Sequence, residues 1–392
     1  MLRLGFHYHI PMFQADDGQL RTPGYIGRFL DSLAAQVDIL VCFLHSPRED
    51  ELPQMDYTLI APNLEFVNIG VHSSLPQRIL NTKQITYHLH QHLERLDILL
   101  IRGPSPLLPA MAKAAGDLPI ALLLVGDYLA GINDLPQPRW RKEAIRVWSW
   151  WNYRQQLRVA KRSLTFVNSH QLYQQLQGKV TDLVETRTTT LSQSDFFERE
   201  DTCQREPYNL LYTGRMDRAK GLFEMVEAVD WLTSNGYDVI LDLVGWPQKG
   251  DQIVEELLED ASRRGIIDRV MYHGFKSVGE ELFSFYKNSD IYLIASRSSE
   301  GFPRTIWEAM AHSLPVIASR VGSIPHYLDD TNDAILIAPR QASEIADAVV
   351  KIINDPDLRQ HLIANAVRKA KANTLERRSK ELISEIKIWL GK

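Results

Sequence analysis

Short apolar runs alternate with longer helical stretches along most of the chain, and this alternation limits its fold more than any other feature. Several of the runs are apolar on both faces, as is typical of parallel strands covered by helices. The predicted strands span 37–43, 97–101, 119–125, 209–213, 238–244, 270–273, 290–294 and 315–318. Helical periods lie between them, for example at 220–235 and 251–264. We therefore predict an α/β protein built from right-handed β-α-β crossovers.

The length of the chain, 392 residues, predicts about two domains. The segment 186–207 is polar, poorly periodic and closed by Pro207, so it is the best candidate for an interdomain linker. We place a first domain at 1–190 and a second at 191–372. The last residues, 373–392, read as a helix.

The charge balance excludes one large class of function. Lys and Arg number 44 and Asp and Glu 49, which gives a net charge of −5 and argues against non-specific nucleic-acid binding. Two cysteines, Cys42 and Cys203, are too few for a disulfide framework or a four-cysteine zinc site. The N-terminal residues lack the apolar region of a signal peptide, and no run of about 18 apolar residues exists. We therefore expect a cytoplasmic protein.

The strongest functional signal follows the strand 209–213. Gly214 lets the chain turn sharply, and Arg215 and Lys220 are two cations that can converge on one polyphosphate. By itself the element G-R-x4-K-G is a weak signal, because most such side chains are solvated.

A second element follows the strand 290–294. Gly301 and Pro303 shape a loop that leads to a helix beginning near Thr305, and the start of a helix attracts anions. Glu300 on the loop and Glu308, which we place in the first helical turn, can face one crevice. Carboxylates beside a diphosphate suit hydroxyl groups of a sugar or ribose. The alternative is that Glu308 only decorates the helix start.

Together these elements resemble the retaining glycosyltransferases of family GT4. The resemblance covers most of 205–350 and rests on G-R-x4-K-G, on LDLVG and YHGF, and on EGFPRTIWE. It implies the GT-B fold, two Rossmann-like domains with parallel sheets facing a central cleft. In that fold the first domain lies on the acceptor side, the second on the nucleotide-sugar donor side, and the helix at 373–392 returns to the first domain. It also implies that Arg215 and Lys220 hold the donor diphosphate, Glu300 the hydroxyls of the transferred sugar, and Glu308 the ribose. The resemblance places the following residues at the donor: Gly214, Arg215, Lys220, Phe275, Lys276, Glu300, Gly301, Phe302, Pro303, Arg304, Thr305 and Glu308.

The first half departs from the family pattern. A strand at 2–7 leads through the loop 11–24 to a helix that begins near Gly24. Gly18 and Gly24 either let the backbone approach donor or acceptor, or serve only as turn residues. The family commonly has a His-Asp pair after its fourth strand, and here the pair is Gly126-Asp127. Asp127 is then the charged group expected nearest the acceptor, and the resemblance counts it with Arg215, Lys220 and Glu300 as catalytic.

Three further features have alternative interpretations. His88 and His92 share a helical face, but a third metal ligand is lacking, so surface or cap histidines are favoured. Asp355 precedes Pro356 and reads as an N-cap. The segment 139–162 holds four tryptophans and eight basic residues against one acidic residue. This composition suits a membrane surface, but we favour tryptophans packed on the domain body, because they do not fall cleanly on one helical face.

These observations predict an enzyme, a retaining glycosyltransferase of the hexosyltransferase type. It would move a sugar from a nucleoside diphosphate sugar, UDP favoured, to a hydroxyl of a glycan, a lipid-linked glycan or a small molecule. No metal and no cofactor are expected. One alternative is a GT-B epimerase or hydrolase of sugar nucleotides, and another is a non-catalytic nucleotide-sugar binding protein. If the segment 139–162 contacts lipid, the protein is peripheral at the inner face of the membrane.

Overall fold

The computed structural model describes residues 2–126, 139–248, 250–298 and 301–391. The predicted residues Asp127 and Glu300 lie outside these ranges. The chain forms two compact units, and each is described by itself: unit 1 consists of residues 1–190 and 375–392, and unit 2 of residues 191–374. The unit boundary falls within the polar segment 186–207.

Unit 1 is built on a seven-stranded parallel sheet with the order β10-β9-β8-β7-β1-β4-β6. Its core strands are almost wholly apolar because helices cover both faces. The strands are β1 (Arg3–Pro11), β4 (Ile39–Ser46), β6 (Leu64–Val71), β7 (Ile98–Gly103), β8 (Ile120–Leu124), β9 (Leu164–Val167) and β10 (Leu183–Glu185). The helices in sequence order are α1 (Gly24–Ala34), α2 (Leu75–Leu80), α3 (Thr82–His90), α4 (Leu108–Ala114), α5 (Arg139–Ala160) and α6 (His170–Leu176).

The segment 11–24, predicted as a loop, contains a small antiparallel sheet instead. Strands β2 (Phe13–Gln14) and β3 (Leu20–Thr22) form a hairpin, and β3 also pairs with β5 (Tyr57–Thr58). Two-residue and three-residue strands have too few side chains to show a period of two, so the sequence pattern missed them. Gly18 lies in the hairpin turn with a φ of +79°, a conformation that favours glycine.

The C-terminal helix α14 (Leu375–Trp389) packs into the core of unit 1. Its buried face joins the cluster around β1 and α1 through Leu375, Leu382, Ile383 and Ile386. The hydroxyl groups of Ser32 on α1 and Ser379 on α14 lie 2.9 Å apart and form a hydrogen bond. The chain therefore leaves unit 2 after Thr374 and ends as part of unit 1.

Unit 2 contains a six-stranded parallel sheet with the order β13-β12-β11-β14-β15-β16. Its strands are β11 (Tyr208–Thr213), β12 (Val239–Val244), β13 (Val270–Tyr272), β14 (Ile291–Ile294), β15 (Val316–Ser319) and β16 (Ile335–Ile337). Its helices are α7 (Leu222–Ser234), α8 (Ile253–Arg263), α9 (Glu280–Asn288), α10 (Arg304–Ala311), α11 (Ile324–Tyr327), α12 (Ala342–Asn354) and α13 (Pro356–Lys371). Every strand predicted from the sequence lies in one of the two parallel sheets, which confirms the α/β prediction.

Two smaller predictions also have clear outcomes. Asp355 caps α13, because its carboxylate accepts a hydrogen bond from the Leu358 amide over 3.0 Å. His92 lies beyond the end of α3, and its Nδ1 donates to the carbonyl oxygen of His88 over 2.9 Å. Because that nitrogen is committed to the backbone, the pair acts as a local cap.

Candidate functional site

Three loops of unit 2 meet at the carboxyl edge of its sheet, and backbone hydrogen bonds join them. The amide of Gly214 donates to the carbonyl of Val244 over 2.9 Å, and that of Met216 donates to Trp246 over 2.8 Å. Gly245 in turn donates to Gly274 over 2.9 Å. The loops after β11, β12 and β13 therefore form one continuous rim, where open α/β sheets bind their ligands.

Glycine is required at this rim because the chains approach closely. Gly245 has a φ of +149°, and a Cβ built on it would lie 1.7 Å from the carbonyl oxygen of Gly214. Any side chain there would push the loops after β11 and β12 apart.

The cations of the first predicted element stand on this rim in different settings. Arg215 is exposed, and Lys220 is half-buried at the end of a short 3-10 turn over Arg218–Lys220. The backbone of Arg215 is fixed, since its carbonyl accepts a hydrogen bond from the buried Tyr212 hydroxyl over 2.8 Å. Arg218 forms two hydrogen bonds of 2.6 Å with Glu256, so it is committed to a neighbouring helix.

Four backbone amides of the loop that carries these cations are already bonded within the protein. Its amides at Gly214 and Met216 already bond to the neighbouring loop. Asp217 accepts hydrogen bonds from two more amides. Its carboxylate accepts from the amide of Ala219 over 2.8 Å, and its carbonyl accepts from the amide of Lys220 over 2.9 Å. These four amides are not available to an anion, and the start of a helix is another source of amide donors.

That helix is α10, which begins one residue earlier than predicted. Its N-cap is Pro303, which contributes no side-chain capping bond. Thr305 is tied to the sheet, because its Oγ1 accepts a hydrogen bond of 2.6 Å from the hydroxyl of Tyr292 on β14. Ahead of the helix, Gly301 is exposed and Phe302 is buried against Trp307, with ring centroids 4.5 Å apart.

Glu308 lies deeper than the sequence indicated. It is the fifth residue of α10, not part of the first turn, and it is only 4% exposed. Its Oε2 accepts a hydrogen bond of 2.8 Å from the hydroxyl of Tyr286 on α9. Because that hydroxyl donates to Glu308, Thr213 donates to Tyr286 over 2.6 Å. A chain of hydrogen bonds thus links the end of β11 to the carboxylate.

Two buried tyrosines of this network stay protonated. Burial and the nearby Glu308 carboxylate raise the pKa of Tyr286 well above its usual value. Burial also raises the pKa of Tyr292. Both hydroxyls therefore remain hydrogen-bond donors at neutral pH.

An aromatic pair on the rim was missed by the sequence analysis. Trp246 after β12 and Phe275 after β13 pack edge to face, with centroids 5.2 Å apart, and are 48% and 45% exposed. Phe275 was predicted among the donor residues, but Trp246 was not. The available signal for Trp246 was its position directly after Gly245 at the end of a strand. The adjacent Lys276 forms an ion pair of 3.3 Å with Glu281.

Arg297 and Glu224 were also missed, and they connect the two predicted elements. The Nε of Arg297 donates to Oε1 of Glu224 over 2.6 Å, and Glu224 is buried in the first turn of α7. The Arg297 amide donates to the carbonyl of Ala219 over 2.7 Å. The loop after β14 is thereby fastened to the loop that carries Lys220.

In unit 1, the predicted glycines occupy separate places. Gly24 begins α1, and its amide donates to the carboxylate of Asp56 over 2.7 Å. Gly126 lies two residues after β8, and among the described residues a Cβ built on it would meet only Pro104, at 3.8 Å. The described neighbours of Gly126 therefore leave room for a side chain at this position.

The tryptophan-rich segment forms helix α5, and the preference for tryptophans packed on the domain was wrong. Trp140, Val147 and Trp151 repeat at helical spacing and are 67%, 66% and 54% exposed, and Trp150 beside them is 50% exposed. The buried face carries the small or polar residues Ser149, Asn152, Gln156, Val159 and Ala160. Arg141 stacks on Trp140 and Arg154 on Trp150, at 5.0 and 4.7 Å from the ring centroids. Among the described helices, none is long and apolar enough to cross a bilayer.

The two units, each with a parallel sheet flanked by helices, define a protein of the GT-B fold class. Over nearly its whole length the chain is similar in fold to Anabaena Alr3699/HepE in complex with UDP, with a TM-score of 0.71, 17% identity and coverage of 98% and 99%. It is also similar to sucrose-phosphate synthase from Thermosynechococcus elongatus, with a TM-score of 0.74, 15% identity and full coverage of both chains.

Residues 194–369, within unit 2, match the sequence model of the family "Glycosyl transferases group 1". Among curated relatives, an alpha-D-kanosaminyltransferase from Streptomyces kanamyceticus is 32% identical over 185 residues, 44% of this chain and 46% of that protein. A D-inositol 3-phosphate glycosyltransferase from Paenarthrobacter aurescens is 28% identical over 160 residues, 40% of this chain and 38% of that protein. The chain thus matches less than half the length of these relatives.

Proposed function

We propose that the protein is a retaining glycosyltransferase that moves a sugar from a nucleoside diphosphate sugar to a hydroxyl acceptor without a metal ion. The observation that carries this proposal is the joining of the loop that bears Arg215 and Lys220 to the loop that precedes α10. Cationic side chains and the start of a helix then converge on one edge of the sheet. This arrangement suits a diphosphate.

The proposed catalytic contribution of unit 2 is electrostatic. When the sugar leaves, negative charge builds on the diphosphate, and Arg215, Lys220 and the dipole of α10 stabilise it. These groups would replace the divalent cation that a diphosphate leaving group otherwise needs. Following the family resemblance, the acceptor hydroxyl attacks the face from which the diphosphate departs and passes its proton to a phosphate oxygen.

The nucleoside is proposed to lie along the rim. Trp246 and Phe275 offer exposed aromatic surface for a base. Glu308, held by Tyr286, would accept hydrogen bonds from the ribose after a small opening, since it is nearly buried. UDP is the favoured nucleotide, because Anabaena HepE, which shares the fold, was crystallised with UDP. Glu300 and Asp127 keep their proposed contacts to the transferred sugar and the acceptor.

We also propose that α5 rests on an anionic lipid surface. Its exposed face combines tryptophans with arginines stacked on them, and 139–162 has eight basic residues against one acidic residue. Such a face suits the boundary between headgroups and acyl chains. The acceptor would then be a lipid-linked glycan presented at the inner face of the membrane.

The direct test incubates the purified protein with UDP-, GDP- and ADP-sugars and measures released nucleoside diphosphate with and without EDTA. We expect slow release from donors of one nucleotide, unchanged by EDTA, and transfer with retention once an acceptor is added. A changed sugar without an acceptor product would indicate the epimerase or hydrolase. Tight donor binding without turnover would indicate the non-catalytic binding protein. Neither release nor binding of any donor would refute the proposal.

A further inference from the structure

Four histidines of unit 1 gather at the carboxyl edge of its sheet, and we call them the histidine cluster: His7, His9, His45 and His72. The first two lie on β1, the third lies on the adjacent β4, and His72 directly follows β6 on the other side of β4. The rings of His45 and His72 have centroids 5.7 Å apart. His7 and His45 are fully buried.

Each histidine of the cluster has a buried ring nitrogen without a hydrogen-bond partner. These atoms are Nε2 of His7, His45 and His72, and Nδ1 of His9. Buried polar atoms are nearly always paired, so four in one place require an explanation. A ligand or ordered water that pairs with them would remove the cost of leaving them unpaired.

The hydrogen bonds of the other ring nitrogens determine which nitrogen of each ring carries the proton. Nδ1 of His7 lies 2.9 Å from the carbonyl of Phe43, and Nδ1 of His45 lies 3.2 Å from the carbonyl of Gly70. Nδ1 of His72 lies 2.6 Å from the carboxylate of Glu51. Carbonyl and carboxylate oxygens only accept, so each Nδ1 carries the proton, and in the neutral ring Nε2 is an acceptor.

The buried members are neutral at physiological pH. Burial lowers the pKa of His7 to about 4 and, together with the charge of nearby Arg78, that of His9 to about 3. Burial also lowers the pKa of His45 to about 3. The cluster therefore presents hydrogen-bond acceptors close to the guanidinium group of Arg78 on α2.

This combination suits hydroxyl groups better than a metal ion. Among the described residues, no three of these four histidines place ligand atoms within 4.8 Å of one another. The positive charge of Arg78 also opposes a second cation. A hydroxyl, in contrast, donates to an unprotonated imidazole nitrogen and accepts from a guanidinium. A phosphate or carboxylate on the same ligand would gain from the Arg78 charge.

The helix that carries Arg78 buries few side chains. Helix α2 has only six residues and buries none of them, and Leu80 at its end is 81% exposed. Elements with few buried apolar contacts open at low free-energy cost. Movement of α2 would carry Arg78 away from the histidines.

We propose that the histidine cluster binds a hydroxyl-rich ligand, a sugar or polyol, whose hydroxyls donate to Nε2 of His7, His45 and His72, and that Arg78 favours ligands with a phosphate or carboxylate. That this ligand is the acceptor of the transfer reaction rests on the proposed function. The binding itself does not.

The binding test uses the full chain labelled with ¹⁵N in its histidines. Hexoses, pentoses, polyols and their phosphates are titrated in, and the Nε2 resonances, assigned with His45→Gln and His72→Gln, are followed. We expect saturable shifts at His45 and His72 with at least one sugar or polyol, larger for its phosphate, and none at the exposed His90. No shift with any member would overturn the proposal. Stoichiometric Zn²⁺ binding at the cluster would also overturn it. So would resonance shifts with inorganic phosphate that are as large as those with a sugar phosphate.

A kinetic test separates this site from the donor site. In His72→Gln and Arg78→Gln we expect the KM for the acceptor to rise about tenfold, the value of one lost hydrogen bond, while the KM for the donor stays unchanged. His90→Gln is the matched control. Equal effects on both KM values would indicate a structural role and overturn the proposal. If no donor is turned over, the proposed function fails, and the ¹⁵N titration still decides whether the cluster binds.

Discussion

The backbone amide of Arg297 donates to the carbonyl oxygen of Ala219 over 2.7 Å and so joins the loop after β14 to the loop after β11. Beside this bond, Gly221 packs against Ala295 so closely that a Cβ would lie 2.0 Å from its carbonyl oxygen. The side chain of Arg297 continues to Glu224 on α7. These contacts fix the spacing between the cations of one loop and the helix start that follows the other.

Arg297 is therefore predicted to act as a positioning residue for the donor. In Arg297→Ala we expect kcat/KM for the donor to fall by about 10- to 100-fold, because small misplacements of binding groups have effects of that size. Arg297→Lys should recover part of the loss, and Glu224→Gln should resemble Arg297→Ala. The measurement is steady-state kinetics with varied donor. Arg264→Ala, which removes an arginine bonded to Asp230 over 3.0 Å, is the control, and donor kinetics of Arg297→Ala within twofold of wild type would contradict the role.

Gly221 should be among the least replaceable residues of unit 2. Its φ is +71°, and its missing Cβ makes room for the Ala295 carbonyl. We expect Gly221→Ala to lower the free energy of unfolding by about 2–4 kcal/mol, through left-handed strain and overpacking. Gly236 has a φ of +87° but open space around it, so Gly236→Ala should cost only about 1–2 kcal/mol. Urea unfolding compares the two, and equal costs would contradict the close approach.

Acid should destabilise the protein through the histidine cluster. The pKa values of His7, His9 and His45 fall from 6.5 to about 3 or 4 on folding, mainly through burial. The unfolded chain therefore binds more protons between pH 6.5 and 4, and stability is full above about pH 6.5 and declines below it. Each histidine contributes a slope of about 1.4 kcal/mol per pH unit in that window.

The variant His45→Gln isolates this effect. We expect its free energy of unfolding, measured by urea titration from pH 7 to 4, to depend less on pH than that of the wild type. The slope should be smaller by about 1.4 kcal/mol per pH unit, the contribution of one bound proton. His90→Gln controls for the loss of an exposed histidine. An unchanged slope in His45→Gln would show that the ring is not held neutral by burial.

Helix α5 gives a prediction about lipid. The wild-type protein should co-sediment with vesicles that contain phosphatidylglycerol, less with pure phosphatidylcholine, and less at high salt. Trp150→Ala with Trp151→Ala should weaken binding at least about tenfold, because two exposed aromatic rings lose their contact with lipid. Trp231→Ala is the control, because it removes a tryptophan of unit 2 that is 44% exposed, close to the exposure of Trp150 and Trp151. Equal sedimentation of all three proteins would contradict a lipid-facing α5.

The sequence predicted the main parallel strands and the two loop elements of unit 2, because these depend on local patterns. Runs that are apolar on both faces indicate parallel strands covered by helices. A glycine followed by a cationic residue indicates a turn at the end of a strand. The depth of Glu308 escaped prediction, since it depends on Tyr286, which lies 22 residues earlier in the chain. Nothing local in the sequence distinguishes a carboxylate at the core from one at the surface.

The missed features share a dependence on distant partners. The bond between Arg297 and Glu224 spans 73 residues, and the histidine cluster combines three strands that are neighbours only in the sheet. The exposed tryptophans of α5 were misjudged for a different reason. We expected them to pack on the domain body because they do not fall cleanly on one helical face. In the structure, polar side chains such as Asn152 face inward instead.

The measurement that tests the central claim most directly is UDP binding by isothermal titration calorimetry, with GDP and ADP in parallel. The account predicts that the wild-type protein binds one of them, and that Lys220→Ala and Arg215→Ala each weaken binding at least about tenfold by losing a charge-assisted bond. Arg218 lies in the same turn but is bonded to Glu256, so Arg218→Ala should bind the nucleotide as the wild type does. Equal affinity in all four proteins, with circular dichroism showing intact folds, would contradict a donor site at this loop.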